Sequence, residues 1–244
     1  MSVLNILPFA STLVMLVFTV SVFQRYLVRH NPAFLFWGIG LLMFGLGSFA
    51  EAYLALAWSP AMFVVWWLFG AVLNPAWIGQ GTLHLLFKRR WVMVASLVLV
   101  VVSIASAWVV LAAPLNASQF HIGKTISEQY TTIWPAGASV RLLPIPFGTY
   151  GLITLVGGAI YSSYLMWRKR VLPNRVIGNI MIAVGALSVA GGSVMTRLGL
   201  GQLLYITELI AAILMYGGFL MAAAPGPQPA PVDGSAHAAG SASK

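Results

Sequence analysis

The sequence predicts an all-α, polytopic membrane protein, a bundle of seven transmembrane helices with its N-terminus outside the cell and its C-terminus in the cytoplasm. The first observation is the composition, because 60% of the residues are hydrophobic and only 7% are charged. The mean hydropathy of +0.91 lies outside the soluble globular range. The second observation is a set of seven apolar segments, each close to the about 20 residues that a helix needs to cross the hydrocarbon core. These segments comprise residues 3–23, 34–57, 61–87, 91–113, 144–167, 175–196 and 202–223.

The third observation is the position of the positive charges, which orients the segments. Nine of the 13 Lys and Arg residues lie on every second connection. They are Arg25 and Arg29 after the first segment, Lys88, Arg89 and Arg90 after the third, and Arg168, Lys169, Arg170 and Arg175 after the fifth. Cytoplasmic loops collect Lys and Arg, so these connections are predicted to be cytoplasmic. No basic stretch precedes the first segment, which therefore differs from a cleavable signal peptide and is expected to remain as a helix.

The boundaries of the segments are marked by prolines, which tend to stand where a helix begins or ends. They are Pro32, Pro60, Pro114, Pro144 and Pro173. Because most connections are short, consecutive helices are expected to be antiparallel neighbours. The exception is residues 114–143 on the outer side, where the β-type residues of 124–134 are expected to form a short hairpin or a cap. A transmembrane domain of residues 1–223 is predicted to precede a disordered cytoplasmic tail, residues 224–244, which is rich in Ala, Gly, Pro and Ser.

Several kinds of chemistry are excluded or disfavoured by the residue types. The chain has no cysteine, so disulfides, thiol catalysis and thiolate metal sites are excluded. His84 is the only histidine inside a segment, whereas haem or a metal needs several ligands at one depth. We therefore expect no cofactor and no bound metal, and with no nucleophile–base pair visible we expect no enzymatic activity. The net charge of +9 does not predict nucleic-acid binding, because the positive residues lie at helix ends rather than on one polar face.

Two of the four acidic residues lie inside apolar segments, where a charge costs about 3 kcal/mol on insertion scales. Glu51 and Glu208 each lie near the outer end of a segment, the second and the seventh. From the rise of an α-helix, both are roughly 10 Å below the outer surface. Arg197 ends the sixth segment on the same side and can pair with either carboxylate. Two interpretations remain open: structural carboxylates that hydrogen-bond to Ser, Tyr, Trp or Arg and fix the helix register, or a site for a ligand, an ion or a proton.

Polar, aromatic and glycine residues recur on one face of several segments. At helical spacing, the second segment carries Trp37, Gly40, Phe44, Gly47 and Glu51, the third carries Trp67, Gly70, Asn74, Trp77, Gly81 and His84, and the fifth carries Tyr150, Thr154, Gly157, Tyr161 and Tyr164. Pro75 removes a backbone N–H, so a kink is expected and the Ala71 carbonyl needs another partner.

These faces have two interpretations. One is close helix packing through small residues. The other is a polar and aromatic pocket that opens outward beneath the long loop. The candidate ligand-binding residues of that pocket are Glu51, Glu208, Trp67, Asn74, Trp77, Tyr150, Tyr161 and Arg197.

The region from Phe36 to Trp91 carries motifs that are shared with a known family. Trp37 and Glu51 lie near the two ends of the second segment, and the third segment carries Trp67 and Gly70 followed by Pro75-Ala76-Trp77. This region resembles the seven-transmembrane sensor module of bacterial histidine kinases and related cyclase-type signalling proteins. The resemblance implies a stand-alone, sensor-like bundle that works through a membrane or cytoplasmic signalling partner.

The sequence favours a receptor-like or accessory integral membrane protein that binds a small or lipophilic ligand from the outer side. Membrane lipids are its expected surroundings, in a cell membrane that we expect to be a bacterial inner membrane. A retinal protein is excluded, because no lysine lies in the seventh segment. One alternative is a small-molecule or proton-coupled transporter, although the chain lacks the inverted repeats typical of alternating access. A second alternative is a structural subunit of a membrane complex.

Overall fold

Seven helices that are long and apolar enough to cross a membrane form most of the chain in a computed structural model, which describes residues 6–168 and 173–224. We number them with the one shorter α-helix between them: α1 (Leu7–Arg29), α2 (Pro32–Leu54), α3 (Pro60–Leu86), α4 (Arg90–Ala112), α5 (Ile126–Ile133), α6 (Pro144–Arg168), α7 (Pro173–Arg197) and α8 (Gln202–Ala223). The prediction of an all-α chain with seven such helices is confirmed for the described residues. Lys169, Arg170 and residues 225–244 of the predicted tail lie outside them.

Two of the helices begin with a proline, as the sequence predicted, and are also capped by a polar side chain that was not predicted from the sequence. Pro32 and Pro60 are the first residues of α2 and α3, where a missing N–H costs no helical bond. The preceding Asn31 and Ser59 side chains accept hydrogen bonds from the backbone N–H groups of Ala33 and Met62. These caps fix two of the turns between consecutive helices.

Six of the long helices contact one another in a closed order, α1–α2–α3–α6–α7–α8 and back to α1. Helix α4 packs outside this ring against α3, through a face of small and polar residues that includes Ser96 and Ser103. Most of the remaining α4 surface is apolar and exposed, as expected for a helix that faces lipid. We call the end of the bundle that carries residues 113–143 the loop end, and the other end the basic end.

Glycines on α2 and α3 allow these two helices to approach closely, which agrees with the first of the two interpretations of these faces. A Cβ atom on Gly47 would lie 2.5 Å from Cα of Gly70. One on Gly40 would lie 2.6 Å from the Ile78 side chain and 2.8 Å from its backbone nitrogen. Larger residues at either position would therefore push α2 away from α3.

The middle of α3 is a π-helix, Trp66–Leu73, that ends directly before Asn74-Pro75. In the i→i+5 pattern of a π-helix, the N–H missing at Pro75 corresponds to the Gly70 carbonyl rather than to the Ala71 carbonyl that α-helical spacing predicted. The Asn74 side-chain amide supplies that bond, at 2.7 Å from the Gly70 oxygen, and a second at 2.8 Å from the Phe69 oxygen. The side chain of Asn74 thus satisfies the backbone beside its own proline.

Residues 114–143 contain a helix, α5, so the expectation of a hairpin in this connection is wrong. The alternative expectation, a cap over the end of the bundle, agrees with the structure. Ile126 and Ile133, two turns apart on one face of α5, are buried in the apolar cluster of the loop end. The buried Gln129 side chain bonds the backbone of His121 and Lys124. Tertiary packing therefore overrides the β-propensity of the individual residues.

Candidate functional site

The loop end brings together the two carboxyl groups from the interior of the predicted membrane segments. Glu51 lies in the last turn of α2, and Glu208 lies in the second turn of α8. Their carboxyl groups lie close enough for each to act on the charge of the other. We call these two residues the carboxyl pair. The sequence predicted that the two residues lie at a similar depth, and the structure also brings them close together across the ring of helices.

The carboxyl pair is largely buried, and its buried oxygens have no hydrogen-bond donor among the described residues. Glu51 is 1% exposed, and neither of its oxygens has a hydrogen-bond partner among the described residues. Glu208 is partly exposed, but its Oε2 atom is buried and also without a described partner. The nearest polar groups are the Trp66 indole, which faces Glu51, and the buried Tyr205, which lies near both carboxyl groups. The side chain of Arg197, the predicted cationic partner, lies outside the described part of the structure.

An aromatic cluster from α3 and α5 lies beside the carboxyl pair. It consists of Phe63, Trp66, Trp67, Tyr130 and Trp134, and consecutive ring centroids are 5.0–6.1 Å apart. Trp67 and Trp134 are 2% and 0% exposed, and their indole N–H groups have no described acceptor. A buried indole N–H usually finds a partner, so two unpaired donors in one cluster require an explanation.

Unpaired polar groups are concentrated at the loop end. Among the described residues, buried side-chain oxygen or nitrogen atoms without a partner belong to Ser11, Ser48, Glu51, Trp67, Trp134, Ser163 and Glu208. All but Ser163 lie within about two turns of the loop end or in the loop itself. Most buried polar groups in proteins are paired, so this concentration distinguishes the loop end from the rest of the bundle.

Helix α5 covers the loop end and is attached to the turn between α7 and α8. The Glu128 carboxylate accepts a hydrogen bond of 2.9 Å from the Gly201 backbone N–H. A Cβ atom at Gly201 would lie 2.6 Å from the Glu128 side chain and 2.7 Å from the Thr125 hydroxyl. The absence of a side chain at residue 201 therefore allows α5 to pack directly on the turn that leads to Glu208.

The other predicted site residues have different partners. Trp77 donates to the Ser103 hydroxyl on α4 at 3.1 Å, and Tyr150 donates to the Gln80 amide oxygen. Asn74 bonds the backbone of its own helix, as described above. Tyr161 is 45% exposed and stacks on Phe87 toward the basic end. Of the eight predicted residues, the structure therefore groups Glu51, Glu208 and Trp67 at the loop end.

A polar network on α3, α4 and α6 was not predicted from the sequence. Gln80 is fully buried, and its amide nitrogen donates to the Val92 carbonyl at 3.0 Å and to the Ser96 hydroxyl at 2.8 Å. A ring nitrogen of His84 bonds the same Ser96 oxygen at 2.7 Å. Because Tyr150 donates to the amide oxygen of Gln80, both the nitrogen and the oxygen of this side chain are hydrogen-bonded. This network is a structural link between helices.

A cavity of about 50 Å³ lies toward the basic end, between α2, α3, α6 and α7. Its polar lining groups are paired, because Trp37 donates to Thr82 at 3.2 Å and Asn179 donates to Ser162 at 2.9 Å. The volume is that of one or two water molecules. Nothing in its lining calls for a ligand.

No protein-family model, curated protein or solved structure matches this chain. Its function is therefore argued from the carboxyl pair and its surroundings. Within residues 6–168 and 173–224, no group of three or more His, Cys, Asp or Glu side chains is placed to hold a metal ion. The carboxyl pair can instead accept hydrogen bonds, neutralise a cation or carry a proton.

Proposed function

We propose that this chain is a multi-pass membrane protein of receptor-like or accessory type, which binds a small ligand at the carboxyl pair beneath α5. The observation that carries the proposal is the enclosed carboxyl pair without a described hydrogen-bond donor. Intramembrane ionisable residues mark functional sites by default. The resemblance of residues 36–91 to bacterial sensor modules supports the receptor-like type and suggests that a signalling partner exists.

The comparison within the same bundle argues against a purely structural role for the carboxyl pair. Structural polar side chains elsewhere in the bundle, such as Gln80, Asn74 and Trp37, are hydrogen-bonded. A carboxylate that fixes helix register is expected to have similar partners, since an unpaired buried charge costs more than a paired one. Neither oxygen of Glu51 has a hydrogen-bond partner among the described residues.

We further propose that the loop end faces the outside of the cell and the basic end faces the cytoplasm. The positive residues on alternate connections support this orientation. Since the chain has no cysteine, single-cysteine variants report accessibility without background. In intact cells, a membrane-impermeant maleimide is expected to label Lys124→Cys but not Arg89→Cys. Labelling of Arg89→Cys alone would show the opposite orientation.

Ligand-induced thermal stabilisation tests the proposed function. The purified protein is heated with a library of small molecules and lipids, and the unfolding temperature is compared among the parent, Glu51→Gln and Glu208→Gln. A ligand present at 100 times its Kd stabilises by about 2.7 kcal/mol, which is a shift of about 5–10 °C for a chain of this size. Asp233→Asn removes the same charge at a position beyond the last predicted membrane segment in the sequence and is the control. If no ligand produces a shift that the Glu51 or Glu208 substitution abolishes, the proposal fails.

A proton-coupled carrier is the second candidate, favoured by the proximity of the two carboxyl groups, which can hold and release a proton. Flux of a bound ligand into proteoliposomes is then expected to respond to an imposed pH gradient and to fail in Glu51→Gln. Flux that is independent of pH and of both glutamates would remove this candidate. Binding without flux would leave the receptor-like function.

A further inference from the structure

The charge of the carboxyl pair and its aromatic surroundings indicate what class of ligand fits. We propose that the carboxyl pair binds a small organic ammonium ion that reaches it from the loop end beneath α5. This inference rests on the function proposed above and specifies the ligand of that site.

The first argument is charge. Two adjacent carboxylates repel each other when both are ionised, and burial makes each charge costly. A single proton between the two groups removes the repulsion and leaves one negative charge. A monovalent cation with N–H donors neutralises that charge and gives the unpaired oxygens of Glu51 and Glu208 charge-assisted hydrogen bonds.

The second argument is the aromatic cluster, which separates an organic from an inorganic cation. An inorganic cation replaces its hydration shell with a set of oxygen ligands. The Trp66 indole stands instead beside the carboxyl pair, the Trp67 ring packs on Trp66, and the Tyr130 ring packs on Trp67. The faces of tryptophan and tyrosine rings attract ammonium groups, and their apolar surface favours the carbon atoms of such a ligand.

The third argument is independent of the acids and comes from the buried indole donors. The N–H groups of Trp67 and Trp134 have no described acceptor, and neither a carboxyl proton nor an ammonium group can supply one. An oxygen acceptor on the ligand, such as a carbonyl, can pair with them. We therefore expect the preferred ammonium ligands to carry such an acceptor near the charge.

Helix α5 provides the route of entry. It is attached to the α7–α8 turn by the Glu128–Gly201 hydrogen bond, and its Ile126 and Ile133 side chains are buried in the apolar cluster of the loop end. This helix is short, and both of its flanking segments are irregular. Movement of α5 would uncover Trp66 and Trp67 next to Glu51, because Tyr130 and Trp134, which pack on these two rings, belong to α5 or directly follow it.

Three matched probes test the ligand class with the full-length protein in lipid nanodiscs. Phenylalaninamide carries an ammonium group and a carbonyl, 3-phenylpropanamide lacks the ammonium group, and 2-phenylethylammonium lacks the carbonyl. Binding is measured by isothermal titration calorimetry. We expect phenylalaninamide to bind, 2-phenylethylammonium to bind a few-fold more weakly, and 3-phenylpropanamide to bind at least about 100-fold more weakly, as loss of a buried ionic contact predicts.

Variants of the protein locate the binding site. The double variant Glu51→Gln with Glu208→Gln is expected to lose phenylalaninamide binding, and each single variant to weaken it about tenfold. Asp233→Asn is expected to bind like the parent. If the double variant is not recovered as folded protein, the two single variants decide the matter, because unchanged binding in both contradicts the proposal.

The outcomes separate the ligand class from the proposed function. Binding of 3-phenylpropanamide as tightly as phenylalaninamide, or a response to Na⁺ or K⁺ in place of the ammonium probes, overturns the ligand class. A Glu51-dependent response to a neutral ligand in the library screen would then preserve the proposed function. Ammonium binding that appears only in Arg197→Gln would show that the carboxyl pair is filled by the chain's own guanidinium, and it overturns the proposal as well.

Discussion

Tyr150→Phe is the sharpest test of whether a predicted site residue has a structural role. The Tyr150 hydroxyl donates to the amide oxygen of Gln80, which is fully buried and whose amide nitrogen already has two acceptors. Removal of the hydroxyl breaks one interhelical bond, worth about 0.6 kcal/mol on average within membranes. It also leaves a buried acceptor unpaired, which costs about 1–3 kcal/mol. We therefore expect a loss of about 1–2 kcal/mol in the free energy of unfolding.

The assay is reversible unfolding in mixed micelles, with Tyr161→Phe as the matched control. Tyr161 is 45% exposed and forms no described hydrogen bond, so its change is expected to stay within about 0.5 kcal/mol. Gln80→Leu combined with Tyr150→Phe is expected to recover part of the loss, because both polar partners are then removed. Equal stability of the two tyrosine variants would refute the structural role of the network. Loss of ligand binding in Tyr150→Phe at unchanged stability would return Tyr150 to the binding site.

The remaining predictions concern packing, the proline segment and the cover. Gly47→Val is expected to destabilise the bundle by about 1–3 kcal/mol in the same assay, because the valine side chain would overlap Gly70. The control is Gly157→Val, because residue 157 has open space around it. Equal losses in the two variants would contradict the close approach of α2 to α3. Asn74→Leu is expected to cost about 1–3 kcal/mol by leaving the Gly70 carbonyl unpaired, whereas an unchanged unfolding curve would show that the amide does not cap that carbonyl. Glu128→Gln is expected to weaken the 2.9 Å bond to the Gly201 N–H and to increase hydrogen exchange in residues 126–133 while α1 and α2 remain protected; unchanged exchange there would argue against the attachment of α5.

The helical fold was predictable from the sequence because its determinants are local. Apolar length and prolines at helix starts, such as Pro32 and Pro60, need no knowledge of the neighbouring helices. Helix α5 was not predicted, because its β-type residues form a helix only when Ile126 and Ile133 pack on the bundle. The spacing of those two residues was the signal that pointed to a helix. The π-helix before Pro75 was also missed, since its register depends on the side chain of Asn74 and on the contact at Gly70.

The two glutamates of the candidate site could be predicted from the sequence, but the residues around them could not. Two glutamates in apolar segments are conspicuous in a chain with four acidic residues, and helix geometry alone gave them one depth. Trp66 was missed because the face of α3 that was predicted to point inward began at Trp67, the next residue. The π-helix changes the angle between successive residues, so α-helical spacing did not predict that Trp66 also points inward. Tyr205 and Trp134 were missed because their proximity depends on how the turn at Gly201 and helix α5 close over the bundle, which is a nonlocal property.

The distribution of paired and unpaired polar groups connects the fold with the proposed function. A bundle that used polar residues only for cohesion would pair them throughout, as it does around Gln80 and around Thr82. Among the described residues, the buried acids and indoles without partners lie at the loop end, near α5, and of the other unpaired groups, which are serine hydroxyls, only Ser163 lies away from that end. Unpaired groups in a packed site are costly, and this cost is recovered when a ligand with complementary charge and hydrogen bonds is bound. The binding energy of an ammonium ligand would therefore come from the same groups that make the ligand-free loop end less stable.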